Sequence, residues 1–277
     1  MAEVVKKQEG ALVNASFGQM SGLGFAETTT QDMSIPFIRI LGAQSPQVDE
    51  QDGAYVDGAK EGMIYNTVTN GVTSSSEGVL VVPCYYNRRY VEWKPRTEGG
   101  GYVGNYLPDD PIVGTATRNE VNNDEVLPNG NVLTNTAQHF VMLLDGDSYS
   151  RCLITMSSTQ LKKSRRWLSQ MNAMTAMGKN GAYTLPMMSQ VYKLQTVREQ
   201  NDKGKWFGWL ITKERQIDLS DAFEKGLFDN AVAFAKSVEA GEVDVKEAVP
   251  DTPTETTAMP KKTDKPKTQQ TNDDDPF

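Results

Sequence analysis

Residues 79–96 read VLVVPCYYNRRYVEWKPR, and this run decides the fold. It is rich in β-branched and aromatic residues, and only Pro83 interrupts it before Pro95. That pattern predicts one long strand with a bend or bulge at the proline, which cannot donate a ladder hydrogen bond. Alternation along a strand puts Tyr86, Arg88, Tyr90, Lys94 and Arg96 on one face. Tyr85, Val91 and Trp93 fall on the other, where a core is expected. The first face, with Arg89 added to its cations, mixes rings and positive charge. Every nucleobase has a π-face, so a tyrosine can stack on any of them at about 1–3 kcal/mol per base while arginine and lysine neutralise the phosphates between.

Outward from this run the order of elements becomes legible. Residues 139–145 and 149–156 are two apolar strands joined by Gly146 and Asp147, a hairpin signal. Ser157 or Ser158 is placed to cap a helix running to about residue 177 and stopping at Gly178. Residues 189–199 and 205–213 form a second hairpin across 201–204, and a last helix over 219–240 stops at Gly241. Upstream, residues 1–33 are small and polar, a flexible arm. Residues 35–41 read as a strand, and 42–70 as loop with an extended piece at 63–65. Residues 97–136 are rich in Gly, Pro, Asn and Asp and read as an acidic loop inserted into the core. The chain divides into an arm (1–33), a core (34–241) and a disordered tail (242–277) low in large apolar residues. The core is mainly β with helices, in the order strand, strand, strand, helix, strand, strand. That is the order of an OB-fold, a Greek-key barrel that binds single strands across one face. An α+β sandwich can draw the same order.

Two further segments combine rings with charge. At 100° per residue, Leu161, Trp167, Leu168, Met171 and Met174 share one side of the first helix, and Lys162, Lys163, Arg165 and Arg166 the other. Four bases with no acid on so short a helix leave the charge unpaired, which suits a polyanion. In the second hairpin, Tyr192, Lys193 and Arg198 lie on one strand and Lys205 and Trp206 on the next. Phe207, Trp209 and Ile211 share a face and read as core, leaving Trp206 as the stacking candidate.

The 277 residues carry a formal net charge of −8, unfavourable at first sight for a nucleic-acid binder. The charge is segregated, however. Residues 151–215 hold twelve basic and three acidic side chains, a local balance of +9, whereas 97–150 come to −7. A phosphate backbone senses the local field rather than the total.

Other functions find little support. No run of 18 apolar residues exists, so no membrane span is expected, and no signal pattern marks the N-terminus. Cys84 and Cys152 sit in apolar runs, as reduced core residues of a cytoplasmic protein do. One histidine, His139, and no Cys-x-x-Cys leave no zinc site, and no cofactor is expected. Gly99-Gly100-Gly101 lacks the Lys-Ser/Thr that follows a phosphate-binding loop, and no nucleophile elbow is present, so neither an enzyme nor a catalytic residue is expected.

The tail ends Asp273-Asp274-Asp275-Pro276-Phe277, an aromatic anchor framed by acids. This tip resembles that of bacterial single-stranded-DNA-binding proteins, Asp-Asp-Asp-Ile-Pro-Phe with the isoleucine missing, and of bacteriophage single-stranded-DNA-binding proteins that end in acids and Phe. The resemblance implies an OB-fold, sequence-tolerant binding of single-stranded DNA, and recruitment of replication or recombination proteins (polymerase, helicase or nuclease) through the tip. It implies a place in the host-cell cytoplasm and is compatible with a homo-oligomer. A scaffold protein that docks a partner through its tail, and an RNA-binding or annealing protein, are the alternatives.

Overall fold

A computed structural model describes residues 20, 22–28, 32–202, 204–243 and 245, with the backbone alone for Arg96. Most of the arm and nearly all of the tail, including the tip, lie outside the described residues.

β1 (Ile38–Ile40), β2 (Ile64–Asn66) and β3 (Val72–Thr73) form a small antiparallel sheet. The long run is β4 (Val79–Trp93), and its register shifts between Pro83 and Tyr85, so the proline does mark a bulge. Three short strands follow: β5 (Tyr102–Tyr106), β6 (Thr117–Arg118) and β7 (Glu125–Val126). β8 (Val132–Asp145) and β9 (Ser148–Ser157) make the first hairpin, with Gly146 at φ 55° in its turn. Then come helix α1 (Leu161–Asn172), the small hairpin β10 (Thr175–Gly178) and β11 (Gly181–Thr184), the long hairpin β12 (Gln190–Asn201) and β13 (Gly204–Gln216), and helix α2 (Ala222–Glu239).

The fold is mostly β, with two helices on a curled antiparallel half-barrel sheet. Its principal strands lie in the order β13-β12-β4-β8-β9. Each central strand serves two partners along one edge. β4 pairs with β12 at Val79–Val81 and with β5 at Tyr90–Trp93. β8 pairs with β7 at its start and with β9 from Thr136 onward. No ladder joins β9 to β13 among the described residues. β1 lies against both strands there, with Phe37 bridged in parallel to Leu153 and the Leu153 N–H bonded to the Pro36 carbonyl at 2.8 Å.

Both faces of the sheet are covered at its centre, which is why Val79–Val82 of β4 and Phe140–Leu144 of β8 read as continuous apolar runs. One face packs Val82, Phe140 and Leu153 against Leu227, Ala231 and Phe234 of α2. The other packs Val81, Val141, Ile154 and Trp209 against Trp167 and Met171 of α1. Each large side chain buried this way contributes about 1.5–3 kcal/mol. α2 is capped by Asp221, whose carboxylate accepts the Glu224 N–H, and is followed by Gly241 at φ 75°, the expected stop.

Three expectations change. The first helix ends at Asn172, not near 177, because residues 175–184 form the β10–β11 hairpin about Lys179 and Asn180. Gly178 belongs to that turn rather than to a helix cap. Neither Ser157 nor Ser158 caps α1: a 3-10 turn, Ser158–Gln160, precedes it, and Ser157 makes no side-chain cap bond. Finally, the stretch 97–136 is no simple loop. It supplies β5, β6, β7 and the start of β8, and it is fastened to β4 through Glu92. That buried carboxylate accepts hydrogen bonds from Tyr106 Oη at 2.5 Å, Asn129 Nδ2 at 2.8 Å and Asn131 Nδ2 at 2.5 Å. Burial pushes the Glu92 carboxyl up, but the three donors outweigh it and hold the group below its usual range.

Candidate nucleic-acid interface

The far half of β4 carries the first candidates. Tyr86 is half-buried beside His139 on β8, ring centroids 5.1 Å apart, and packs against the α1-side core. Arg88 is exposed; its Nε donates to Asn135 Oδ1 at 2.9 Å, and its guanidinium stands 5.8 Å from the Tyr90 ring centroid. Tyr90 and Asn135 face each other across the β4–β8 ladder, so the three form one local cluster. Arg89 points its Nη1 at the Arg88 carbonyl, 3.0 Å away. Lys94 is exposed just past the strand, and Arg96 opens a 3-10 turn, Arg96–Glu98. The expected strand face therefore stops short of Arg96, because β4 ends at Trp93.

Helix α1 is held down by one face. Trp167 and Met171 are buried, and Ser164 Oγ lies 2.8 Å from His139 Nε2. His139 is 1% and Ser164 2% exposed, so no substrate reaches the pair. Burial drives the imidazole pKa down to about 3, leaving it neutral. Lys163 is not the unpaired cation that the helical wheel suggests. Its ammonium forms an ion pair with Glu199 on β12 and donates to the Trp209 carbonyl at 3.0 Å. Lys162, Arg165 and Arg166 do face solvent.

The second hairpin divides differently from expectation. Tyr192 is 1% exposed, edge-on to Trp167 with centroids 5.5 Å apart. Burial raises its hydroxyl pKa to about 12. A base cannot stack on a ring already enclosed by protein, so Tyr192 is a core residue and not a binding one. Trp209 is core as expected, 2% exposed. Trp206 is half-buried, and its Nε1 donates to Glu199 at 3.0 Å. Lys193 is half-buried, while Arg198 and Lys205 are exposed.

Between α1 and β13 lies a cleft of ≈ 630 Å³ whose rim carries Arg166 and Lys213. Next to α1 in sequence, the β10–β11 hairpin exposes Met177 and Tyr183, 79% and 51% accessible. Sequence reasoning passed over this element. Its signal was present in Gly178-Lys179-Asn180-Gly181, two glycines bracketing a two-residue turn, with Gly181 at φ 109°.

A model of the Pam3 phage gp34-like protein family matches residues 6–244. The chain belongs to the Pam3 phage gp34-like family. The family match takes in every strand and helix described above and every candidate from Tyr86 to Trp206, and it ends before the acidic tip. No curated protein and no solved structure matches the chain. Among the described residues no group of three or more His, Cys, Asp or Glu could hold a metal ion. No described helix is long and apolar enough to cross a membrane.

Proposed function

We propose that this phage-family protein binds single-stranded DNA during replication or recombination in the host cytoplasm. The observation that carries the reading is the outer face of α1. On a chain of net charge −8, Lys162, Arg165 and Arg166 stand together in solvent. Such a cluster supplies the counterion-releasing contacts that a phosphate backbone needs. The exposed ring of Tyr183 and the Arg88–Tyr90 cluster offer stacking surfaces. Strand order supports the same reading: β9-β8-β4-β12-β13, with α1 between the third and fourth strands in sequence, is the 3-2-1-4-5 order of an OB-type barrel. Here β1 occupies the seam that direct pairing of the third and fifth strands would close. The Asp273–Phe277 tip would recruit a polymerase, helicase or nuclease.

The experiment is a binding comparison of single-stranded DNA, duplex DNA and RNA of one length across a salt series. Single-stranded DNA is expected to bind tightest, with log affinity falling by about 0.7 per phosphate contact for each decade of salt. Equal affinity for duplex, or a salt-independent affinity, overturns the reading. A preference for RNA assigns the surface to RNA instead.

A further inference from the structure

The outer edge of β13 is treated in two ways along its length. Pairing with β12 uses the backbone groups of alternate residues, so those of Phe207, Trp209, Ile211 and Lys213 point away from the ladder. At the first two, the 3-10 turn that leads into α1 closes the edge. The Gln160 side-chain amide accepts the Trp209 N–H at 3.1 Å and donates to the Phe207 carbonyl at 3.4 Å, the two bonds that a neighbouring strand would make. Lys163 adds its bond to the Trp209 carbonyl. At Ile211 and Lys213 no described residue does the same. There the ≈ 630 Å³ cleft opens, with Arg166, Gln170 and Met174 on the helix side and Leu210, Ile211 and Lys213 on the strand side. Trp167 lines it too, and its buried indole N–H has no hydrogen-bond partner among the described residues.

We propose that this cleft docks an extended acidic segment of a partner protein, added as a strand beside Ile211–Lys213. An open edge is a template for an added strand. It presents N–H and C=O groups in alternation, and only another peptide backbone satisfies both; a phosphate accepts hydrogen bonds but donates none. The sign of the partner follows from the rim. Lys163 is already neutralised by Glu199, whereas Arg166 and Lys213 are exposed on opposite walls. The interior is apolar, with Trp167, Met174, Tyr192 and Ile211. Side chains alternate along a strand, so the fitting segment alternates apolar residues, turned inward, with acids turned to the rim. The assignment shares Arg166 with the proposed DNA surface but rests on the open edge and on Lys213, which that surface does not require.

The test uses the full chain and a fluorescein-labelled eight-residue peptide alternating Glu and Ile, followed by anisotropy. Binding is expected, weakened at least tenfold when Lys replaces Glu and at least tenfold when alternate peptide nitrogens are methylated. Lys213→Glu and Arg166→Glu are each expected to weaken it at least fivefold. Ile211→Pro removes one outward N–H and should do the same; if that variant melts early, Lys213→Glu carries the test. Equal binding of the methylated peptide, or indifference to Lys213→Glu, overturns the proposal. So does full displacement of the peptide by oligo-dT with the same Lys213 dependence, which gives the cleft to nucleic acid. A tenfold gain on removing residues 246–277 makes the chain's own tail the occupant. A dimer in sedimentation that Lys213→Glu dissociates makes the occupant a second copy.

Discussion

His139 stacks on Trp167, ring centroids 4.7 Å apart and planes inclined by 27°. With the His139–Ser164 bond, this contact pins α1 to β8 and turns the opposite face of the helix, with its cations, to solvent. The candidate interface therefore depends on a histidine that is itself buried.

Stability should reflect that histidine's protonation. Burial lowers its folded pKa to about 3, against an ordinary value of 6.5. Between these values the unfolded chain holds the extra proton, so stability rises with pH across the window. As pH falls below about 6.5, this site should cost up to about 1.4 kcal/mol per pH unit. Urea denaturation from pH 7.5 to 4.5 measures the slope, and His139→Gln should flatten it.

Glu92 acts at lower pH. Its carboxyl is held below the usual range, so its contribution is present above the unfolded value and is lost as pH falls through the folded one. Glu92→Ala leaves Tyr106, Asn129 and Asn131 without their common acceptor and should cost about 2 kcal/mol. Limited proteolysis should then cut first within residues 97–131.

On α1, neighbouring lysines should behave differently. Lys162→Ala and Arg165→Ala should each reduce the salt slope of oligo-dT binding by about 0.7 and leave the melting temperature unchanged. Lys163→Ala should lower the melting temperature, because it leaves Glu199 and the Trp209 carbonyl without their shared donor. Fluorescence titration paired with thermal melting reads both effects.

Two tyrosines separate core from surface. Tyr192→Ala should destabilise by about 3–5 kcal/mol, as removal of a buried aromatic does. Tyr183→Ala should leave stability alone and weaken oligo-dT binding by about 1 kcal/mol. If Tyr183→Ala leaves affinity untouched, the β10–β11 hairpin lies off the DNA path.

What could be read without the structure were features that local chemistry imposes. Pro83 cannot donate to a ladder, so it marked the bulge in β4. Gly146-Asp147 set the β8–β9 turn, and Gly241 the end of α2. Period-2 and period-3.6 patterns placed Trp209 and Trp167 in the core. Errors arose where one residue type serves two local structures. Gly178 suits a helix stop and a hairpin turn equally, and only the pairing of Thr175–Gly178 with Gly181–Thr184 distinguishes them.

Sequence by itself determined the five principal strands, their order along the chain, the presence of two helices and the segregation of charge, because turns and periodicity act over a few residues. Tertiary structure decided which cations are free and which rings are accessible. Lys163 meets Glu199 across 36 positions, and Tyr192 lies under Trp167 across 25. Neither contact leaves a trace in local pattern, since ion pairing and burial depend on what the curled sheet brings beside a residue, not on its neighbours in the chain.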